Sequence, residues 1–163
     1  MPEPTRRCKV RYVSEPLSMP IVPRYAEIDQ QGVVFNAHYL TWFDEASYVF
    51  FDHVGVPDAA FDGWGLDVQV VHAEIDYLAP VRWRDRVRVE VRGESVGATS
   101  FALRFDVLRC DDGGVEVAAA RGRNVYVVVS TDDWAKRPVP DELRTALTSV
   151  VSQGLPVDGT VSP

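Results

Sequence analysis

Residues 37–54 read AHYLTWFDEASYVFFDHV, and this stretch decides the fold. Leu40, Phe43, Ser47, Phe50 and Val54 recur at three- and four-residue spacing, the period of an α-helix. Asn36 is a favourable N-cap, and Gly55 is a stop. Phe35, Tyr39, Trp42, Phe43, Tyr48, Phe50 and Phe51 fall around most of this helix. Apolar rings on most sides predict a helix that is largely buried rather than lying on a surface. A sheet wrapped around it would bury it.

The rest of the chain supplies that sheet. Met19 to Tyr25 is a short strand candidate whose Pro20 and Pro23 demote it to an edge or terminal strand. Asp29-Gln30-Gln31-Gly32 suits a type I turn, with Asp first and Gly fourth. Residues 56–65 are a Gly- and Asp-rich connection. Leu66–Leu78 reads as a long strand ending at Ala79-Pro80. From Arg86 to Val96 the pattern alternates, with Val87, Val89 and Val91 on one face and Arg86, Arg88, Glu90 and Arg92 on the other. Gly97-Ala98 marks a turn. From Thr99 to Arg109, Phe101, Leu103, Phe105 and Val107 share a face. Asp111-Asp112-Gly113-Gly114 is a hairpin signal, and Val115–Ser130 closes the series. Pro140-Asp141-Glu142 opens a short helix with Leu143, Leu147, Val150 and Val151 on its apolar side. One helix followed by a run of adjacent strands predicts an α+β fold with an antiparallel sheet. The expected division is an N-terminal arm over 1–18, a single domain over 19–152 and a flexible tail over 153–163.

The chain has 163 residues, 46% hydrophobic and 25% charged, which excludes disorder as a whole and fits one globular domain. Net charge is −7, so general nucleic-acid binding is not expected. Cys8 and Cys110 form no CxxC pair, and no disulfide framework is expected. No apolar run approaches the ~20 residues of a membrane helix, and the N-terminus carries no signal-peptide core. A reduced, cytoplasmic protein with no membrane contact is the expectation.

Three constellations bear on chemistry. The first runs from Tyr25 through Asp29 and Gly32-Val33 to Asn36, where the central helix begins. A helix N-terminus offers unpaired backbone N–H groups and partial positive charge, which stabilise a developing oxyanion. A nearby carboxylate then serves as nucleophile or as general base on water. The plainer reading is that Asp29 starts a turn and Asn36 caps a helix. The second is His38, His53 and His72, which form no HExxH or i,i+4 pair, so no metal site is expected. The third is Arg82, Arg84, Arg86, Arg88 and Arg92. Arginine suits bidentate phosphate contacts, and it equally suits cross-strand ion pairs on a solvated face. No GxGxxG, P-loop or GxSxG motif occurs.

The stretch RYAEIDQQGVVFNAHYLTWFDEAS (24–47) resembles the 4-hydroxybenzoyl-CoA thioesterase family of the hotdog fold. The resemblance rests on Asp29, Gly32, Val33-Val34-Phe35, Asn36 and Asp44-Glu45-Ala46-Ser47, and IDYLAPVRWRDRVRVEV (75–91) looks like the family's strand-turn-strand segment. It implies a five-stranded antiparallel sheet wrapped around a long central helix. It also implies subunits that pair into homodimers and again into homotetramers, with active sites at the dimer interface. The implied activity is hydrolysis of an acyl-CoA thioester, with coenzyme A as part of the substrate and no other cofactor.

The resemblance places the catalytic carboxylate on Asp29 and the oxyanion donor on the Asn36 backbone N–H. Tyr25 matches a tyrosine of the branch linked to the Tol-Pal system. Gly32, Val33 and His38 fall beside the substrate, and Asp44 matches an Asp near the acyl pocket of the hydroxybenzoyl-specific branch. The chain departs from the Tol-Pal-linked branch in carrying Asn36 where a His stands there. It also departs in reading Gly97-Ala98-Thr99 where the hydroxybenzoyl branch has a basic cluster for CoA, which leaves Arg82 and Arg84 as candidate carrier contacts. Acyl chains on an acyl carrier protein, a non-catalytic acyl-CoA-binding module and hotdog dehydratase chemistry using His38 or His72 with Glu45 are the alternatives.

Overall fold

A computed structural model describes residues 16–110 and 114–151. In chain order come β1 (Leu17–Ile21), a 3-10 turn (Tyr25–Glu27), α1 (His38–His53) and α2 (Asp58–Trp64). β2 (Leu66–Tyr77), β3 (Val87–Val96), β4 (Ser100–Cys110), β5 (Glu116–Ser130) and α3 (Asp141–Val151) follow. The strands form one antiparallel sheet in the order β1-β3-β4-β5-β2, so the architecture is the expected α+β hotdog arrangement.

Strand alternation builds the core. Val87, Val89 and Val91 of β3 and Phe101, Leu103, Phe105 and Val107 of β4 are buried, as their spacing predicts. The opposite face of the sheet carries crossed ion pairs. Arg88 pairs with Glu116 at 2.6 Å, Arg92 with Asp106 at 2.6 Å, and Glu94 lies between Arg104 and Arg123. Burial pushes the Glu94 carboxyl up, but hydrogen bonds from Arg123 and Arg104 more than offset it and leave its pKa lowered.

Helix α1 lies on the apolar face through Tyr39, Trp42, Phe43, Ala46, Ser47, Phe50 and Phe51. The Phe43 ring stacks on Phe105 at 4.5 Å. It reaches the sheet because Gly122 has no side chain: a Cβ there would stand 2.1 Å from the ring. The Phe51 ring meets Phe101 and Tyr126 edge-on. Helix α3 packs against β3 with Leu143 and Leu147 fully buried.

Several expectations are corrected. β1 ends at Ile21, and the chain turns through Pro23 into the 3-10 helix that holds Tyr25, because Pro23 has no N–H for a strand ladder. Helix α1 is capped at Ala37 with no side-chain bond, so Asn36 is not its N-cap. The helix is buried on one side rather than most sides: Leu40, Tyr48 and Val49 are exposed, because the sheet covers a single face. Residues 58–64 of the expected connection form α2. Most of the expected arm, the tail and the 111–113 part of the hairpin signal lie outside the described residues, as do the side chains of Val150 and Val151.

Gly122→Ala should lower stability by about 1–3 kcal/mol, the usual range for overpacking a close-packed core. Gly63→Ala in α2, where nothing lies within 4 Å, should leave the melting temperature unchanged or raised. Thermal melts of the two variants beside the wild type check both.

Candidate active site

The turn after the 3-10 helix is a miniature hairpin. The Asp29 N–H donates to the Val33 carbonyl at 2.8 Å, the Gly32 N–H to the Asp29 carbonyl at 3.0 Å, and the Phe35 N–H to the Glu27 carbonyl at 2.9 Å. Gly32 sits at φ +77, a conformation that favours glycine. Asp29 accepts the Gln31 N–H on Oδ1 at 2.8 Å and, more weakly, the Val33 N–H at 3.4 Å. Its Oδ2 accepts from none of the described residues.

The hairpin delivers the chain to the start of α1. The Val34 N–H binds the Val81 carbonyl at 2.8 Å, which fixes the hairpin to the β2–β3 loop. The Asn36 carbonyl is turned out of the helix and accepts the Tyr77 hydroxyl at 2.9 Å. Among the described residues no acceptor meets the N–H of Asn36 or of Ala37. Tyr77 packs edge-on against Tyr39 at 5.2 Å. Burial pushes the Tyr39 hydroxyl up to about 12 and raises Tyr77 above its ordinary value. Both phenols therefore stay neutral at ordinary pH, and Tyr77 remains a donor to Asn36.

These elements surround a cleft of about 630 Å³. Asp29, Val33 and Asn36 line it together, beside Tyr39, Tyr77 and Pro80. Asp29 and Asn36, the residue just before the helix cap, thus line one concave space. That arrangement can polarise a carbonyl while offering it a nucleophile or a base.

The other expected residues are placed as follows. Gly32 shapes the turn. His38 is half-buried, with its ring edge-on to Phe35 at 6.1 Å. Tyr25 is exposed and packs edge-on against Trp83 at 5.5 Å. Arg82 and Arg84 lie on the β2–β3 loop, where the Arg84 guanidinium stacks 4.1 Å over the Trp83 ring. Asp44 is not brought to Asp29 within one chain. It lines a second cavity of about 420 Å³ with Tyr48, Phe51, Asp58, Phe61 and Tyr126. Among the described residues no group of three or more His, Cys, Asp or Glu could hold a metal ion, and no helix is long and apolar enough to cross a membrane.

Tyr77, Tyr39, Glu27 and Trp42 belong to the site or its support and were not singled out from the sequence. Glu27 is buried at 2% exposure. It accepts the Arg24 N–H at 2.7 Å, the Arg24 guanidinium at 2.8 Å and the Trp42 indole N–H at 3.3 Å. The Arg24-x-x-Glu27 spacing of a capped turn was the available signal. Burial pushes the Glu27 carboxyl up, but the hydrogen bonds from Arg24 and Trp42 outweigh it and hold its pKa below the ordinary 4.5.

Comparison with known proteins bears on the family and the fold. A family model described as the thioesterase-like superfamily matches residues 23–147. A 1,4-dihydroxy-2-naphthoyl-CoA hydrolase from Thermosynechococcus vestitus is 29% identical over 126 residues, covering 77% of this chain and 84% of the relative. The solved structure of a predicted thioesterase from Bacillus stearothermophilus superposes with a TM-score of 0.70 at 28% identity, over 84% of this chain and 97% of that one. A mutant 4-hydroxybenzoyl-CoA thioesterase solved with 4-hydroxybenzoyl-CoA gives a TM-score of 0.75 at 20% identity, over 82% of this chain and 99% of that one, and shares the fold.

A carboxyl whose pKa is lowered by folding stabilises the fold above its unfolded pKa, and that contribution fades as pH falls through the folded value. Glu27→Gln should therefore melt below wild type at pH 7, with the gap narrowing as pH drops below about 4. Melting curves of both proteins between pH 7 and pH 3 check this.

Proposed function

Since the chain belongs to the thioesterase-like superfamily, we propose that it is an acyl-CoA thioesterase that uses Asp29 and the start of α1 to split the thioester into a carboxylic acid and CoA. The observation that carries this reading is the shared cleft, lined both by Asp29, whose Oδ2 accepts no hydrogen bond from the described residues, and by Asn36, whose N–H meets no acceptor among them. The thioester oxygen points toward the Asn36 N–H. Asp29 Oδ2 attacks the carbonyl carbon, or takes a proton from the water that does. The tetrahedral oxyanion is held by the backbone donor, and the CoA thiolate leaves and takes up a proton. On the nucleophilic route this leaves an acyl–Asp29 anhydride, which water hydrolyses to release the acid and restore the carboxylate. The reaction needs no cofactor.

The aromatic wall of the cleft, Phe35, Tyr39 and Tyr77, favours an aroyl group, and the relatives named for a dihydroxynaphthoyl-CoA point to the same class. Tyr25, with Arg82 and Arg84, forms the rim that meets the carrier. Arg88 and Arg92 are already engaged with Glu116, Glu90 and Asp106, so the carrier reading contracts to the loop arginines. Val33 lines the cleft beside Asp29, whereas Asp44 lines the second cavity and so meets no acyl group at Asp29 within one chain.

The active assembly in this reading is a homodimer that pairs again into a homotetramer. β2 is an edge strand with Val70, Val71 and Tyr77 exposed, and an unpaired edge carrying exposed apolar side chains is a ready site for pairing with a second copy.

Release of free thiol from aroyl-, short-chain and long-chain acyl-CoAs should show turnover by the wild type, with aroyl-CoA preferred. Asp29→Asn should lower it by about 10²–10⁴-fold with the fold kept, and Asn36→Ala, which keeps the backbone donor, should cost far less. No turnover on any acyl-CoA would sink the CoA form of this reading, and acyl carrier protein thioesters would then be the substrates to assay. In sedimentation, wild type should run larger than a monomer and Val71→Lys should shift it toward the monomer. An unshifted oligomer would place the interface elsewhere.

A further inference from the structure

Among the described residues Glu27 is the one charged side chain in the buried set, and the reaction set out above does not use it. Withdrawing a carboxylate from water is costly unless its acceptor sites are filled. Here they are filled from two directions. The Arg24 N–H and guanidinium hold it from its own turn, and the Trp42 indole holds it from α1. The backbone of the same residue takes the Phe35 N–H, the amide just before Asn36. Two residues further on stands Asp29. Glu27 is therefore bonded on two sides: its side chain to α1 through Trp42, its main chain to the segment that leads into the helix. Tyr77 holds the Asn36 carbonyl from a third side.

We propose that Glu27 is a positioning residue, which sets the reach from the Asp29 carboxylate to the helix start by tying the 3-10 turn to Trp42. The proposal rests on the thioesterase reading. Its physical basis is that proximity catalysis is steep in geometry: a displacement of about 1 Å can cost on the order of 10²-fold in rate. Glu27→Gln keeps the volume but has one acceptor oxygen, so it can serve either the Trp42 indole and Arg24 guanidinium or the Arg24 backbone N–H while its N–H₂ faces the other, and the turn is held less firmly onto the helix. Trp42→Phe keeps a buried ring and removes the indole donor alone.

The test is steady-state hydrolysis of the best acyl-CoA by wild type, Glu27→Gln, Trp42→Phe and the double variant, with a melting curve for each. The expected result is a kcat about 10–100-fold lower for Glu27→Gln with KM changed less than about threefold. Trp42→Phe is expected to lie in between, and the double variant should be no worse than Glu27→Gln because the two act through one bond. A lowered melting temperature with wild-type kcat would overturn the inference and leave Glu27 a structural residue. If Glu27→Gln does not fold, Trp42→Phe decides alone: a kcat equal to wild type overturns the inference, and a kcat loss at constant KM supports it. Amide hydrogen exchange over residues 29–37 should be faster in Trp42→Phe than in wild type, and unchanged exchange would count against the tie. That readout needs no substrate, so a wild type without acyl-CoA turnover would overturn the thioesterase reading and not this one.

Discussion

The whole arrangement depends on one close approach, the Phe43 ring against the backbone of Gly122. Helix α1 has to sit low on the sheet for its apolar side to be buried. Any side chain at position 122 would lift it, since a Cβ there would fall 2.1 Å from the ring. With that contact made, Phe43 stacks on Phe105 and Phe51 lodges against Phe101 and Tyr126, so the helix axis is fixed along its length. A close-packed core transmits such a constraint rather than absorbing it. The position of the helix start, and with it the direction of its unpaired N–H groups, follows from packing about two turns away.

The same constraint explains why the cleft lies where it does. A helix start is reactive only if its donors are left free and something holds the chain before it. Here the preceding chain is closed into a hairpin by the Asp29 turn, pinned to the β2–β3 loop through Val34 and Val81, and steadied by Tyr77 at the Asn36 carbonyl. The carboxylate that starts this turn keeps one oxygen in the turn, and its other oxygen accepts from none of the described residues. Turn-former and candidate catalytic group are thus one side chain. The plain reading of Asp29 as a turn residue holds on Oδ1, and the proposed chemistry falls to the other oxygen.

Most of the sheet was legible because alternation reports burial directly. Val87, Val89 and Val91, and Phe101 to Val107, sit on the core face as their period-two spacing says. The order of the strands was not legible from local pattern, since the pairing of β2 with β5 is a long-range choice that turn chemistry does not encode. The short α2 was hidden by its composition: DAAFDGW offers only Phe61 and Trp64 as apolar anchors. The helix was found, but its buried stripe was placed one residue off at its start, on Leu40 rather than Tyr39, because an all-round aromatic pattern has no clear phase. At the site, Asp29 and Asn36 stood out through the motif they share with a known family. Glu27 did not, since a glutamate in a single sequence carries no mark of burial. Only the fold shows that an indole fifteen residues away reaches it.

The arginine run shows how the fold sorts residues of one type into different tasks. Strand alternation puts Arg88 and Arg92 on the outer face of β3, where facing carboxylates of β3, β4 and β5 absorb their charge. Arg82 and Arg84 precede the strand and escape this pairing. They sit in a turn closed by the Asp85 N–H on the Arg82 carbonyl at 3.1 Å, and the Asp85 carboxylate takes the Arg82 N–H at 2.8 Å. That turn holds Arg84 at φ 71, where glycine or asparagine would be at ease. Left-handed backbone at a larger residue costs roughly 1–2 kcal/mol, and the stacking of the guanidinium on Trp83 offsets part of it. Neither guanidinium is paired with a carboxylate among the described residues. A protein of net charge −7 therefore presents unneutralised positive charge on the loop whose Val81 carbonyl anchors the Asp29 hairpin. Overall charge sets solubility, and the local field sets what a cleft attracts. An anionic carrier entering from this side would meet the arginines before its thioester reached Asp29.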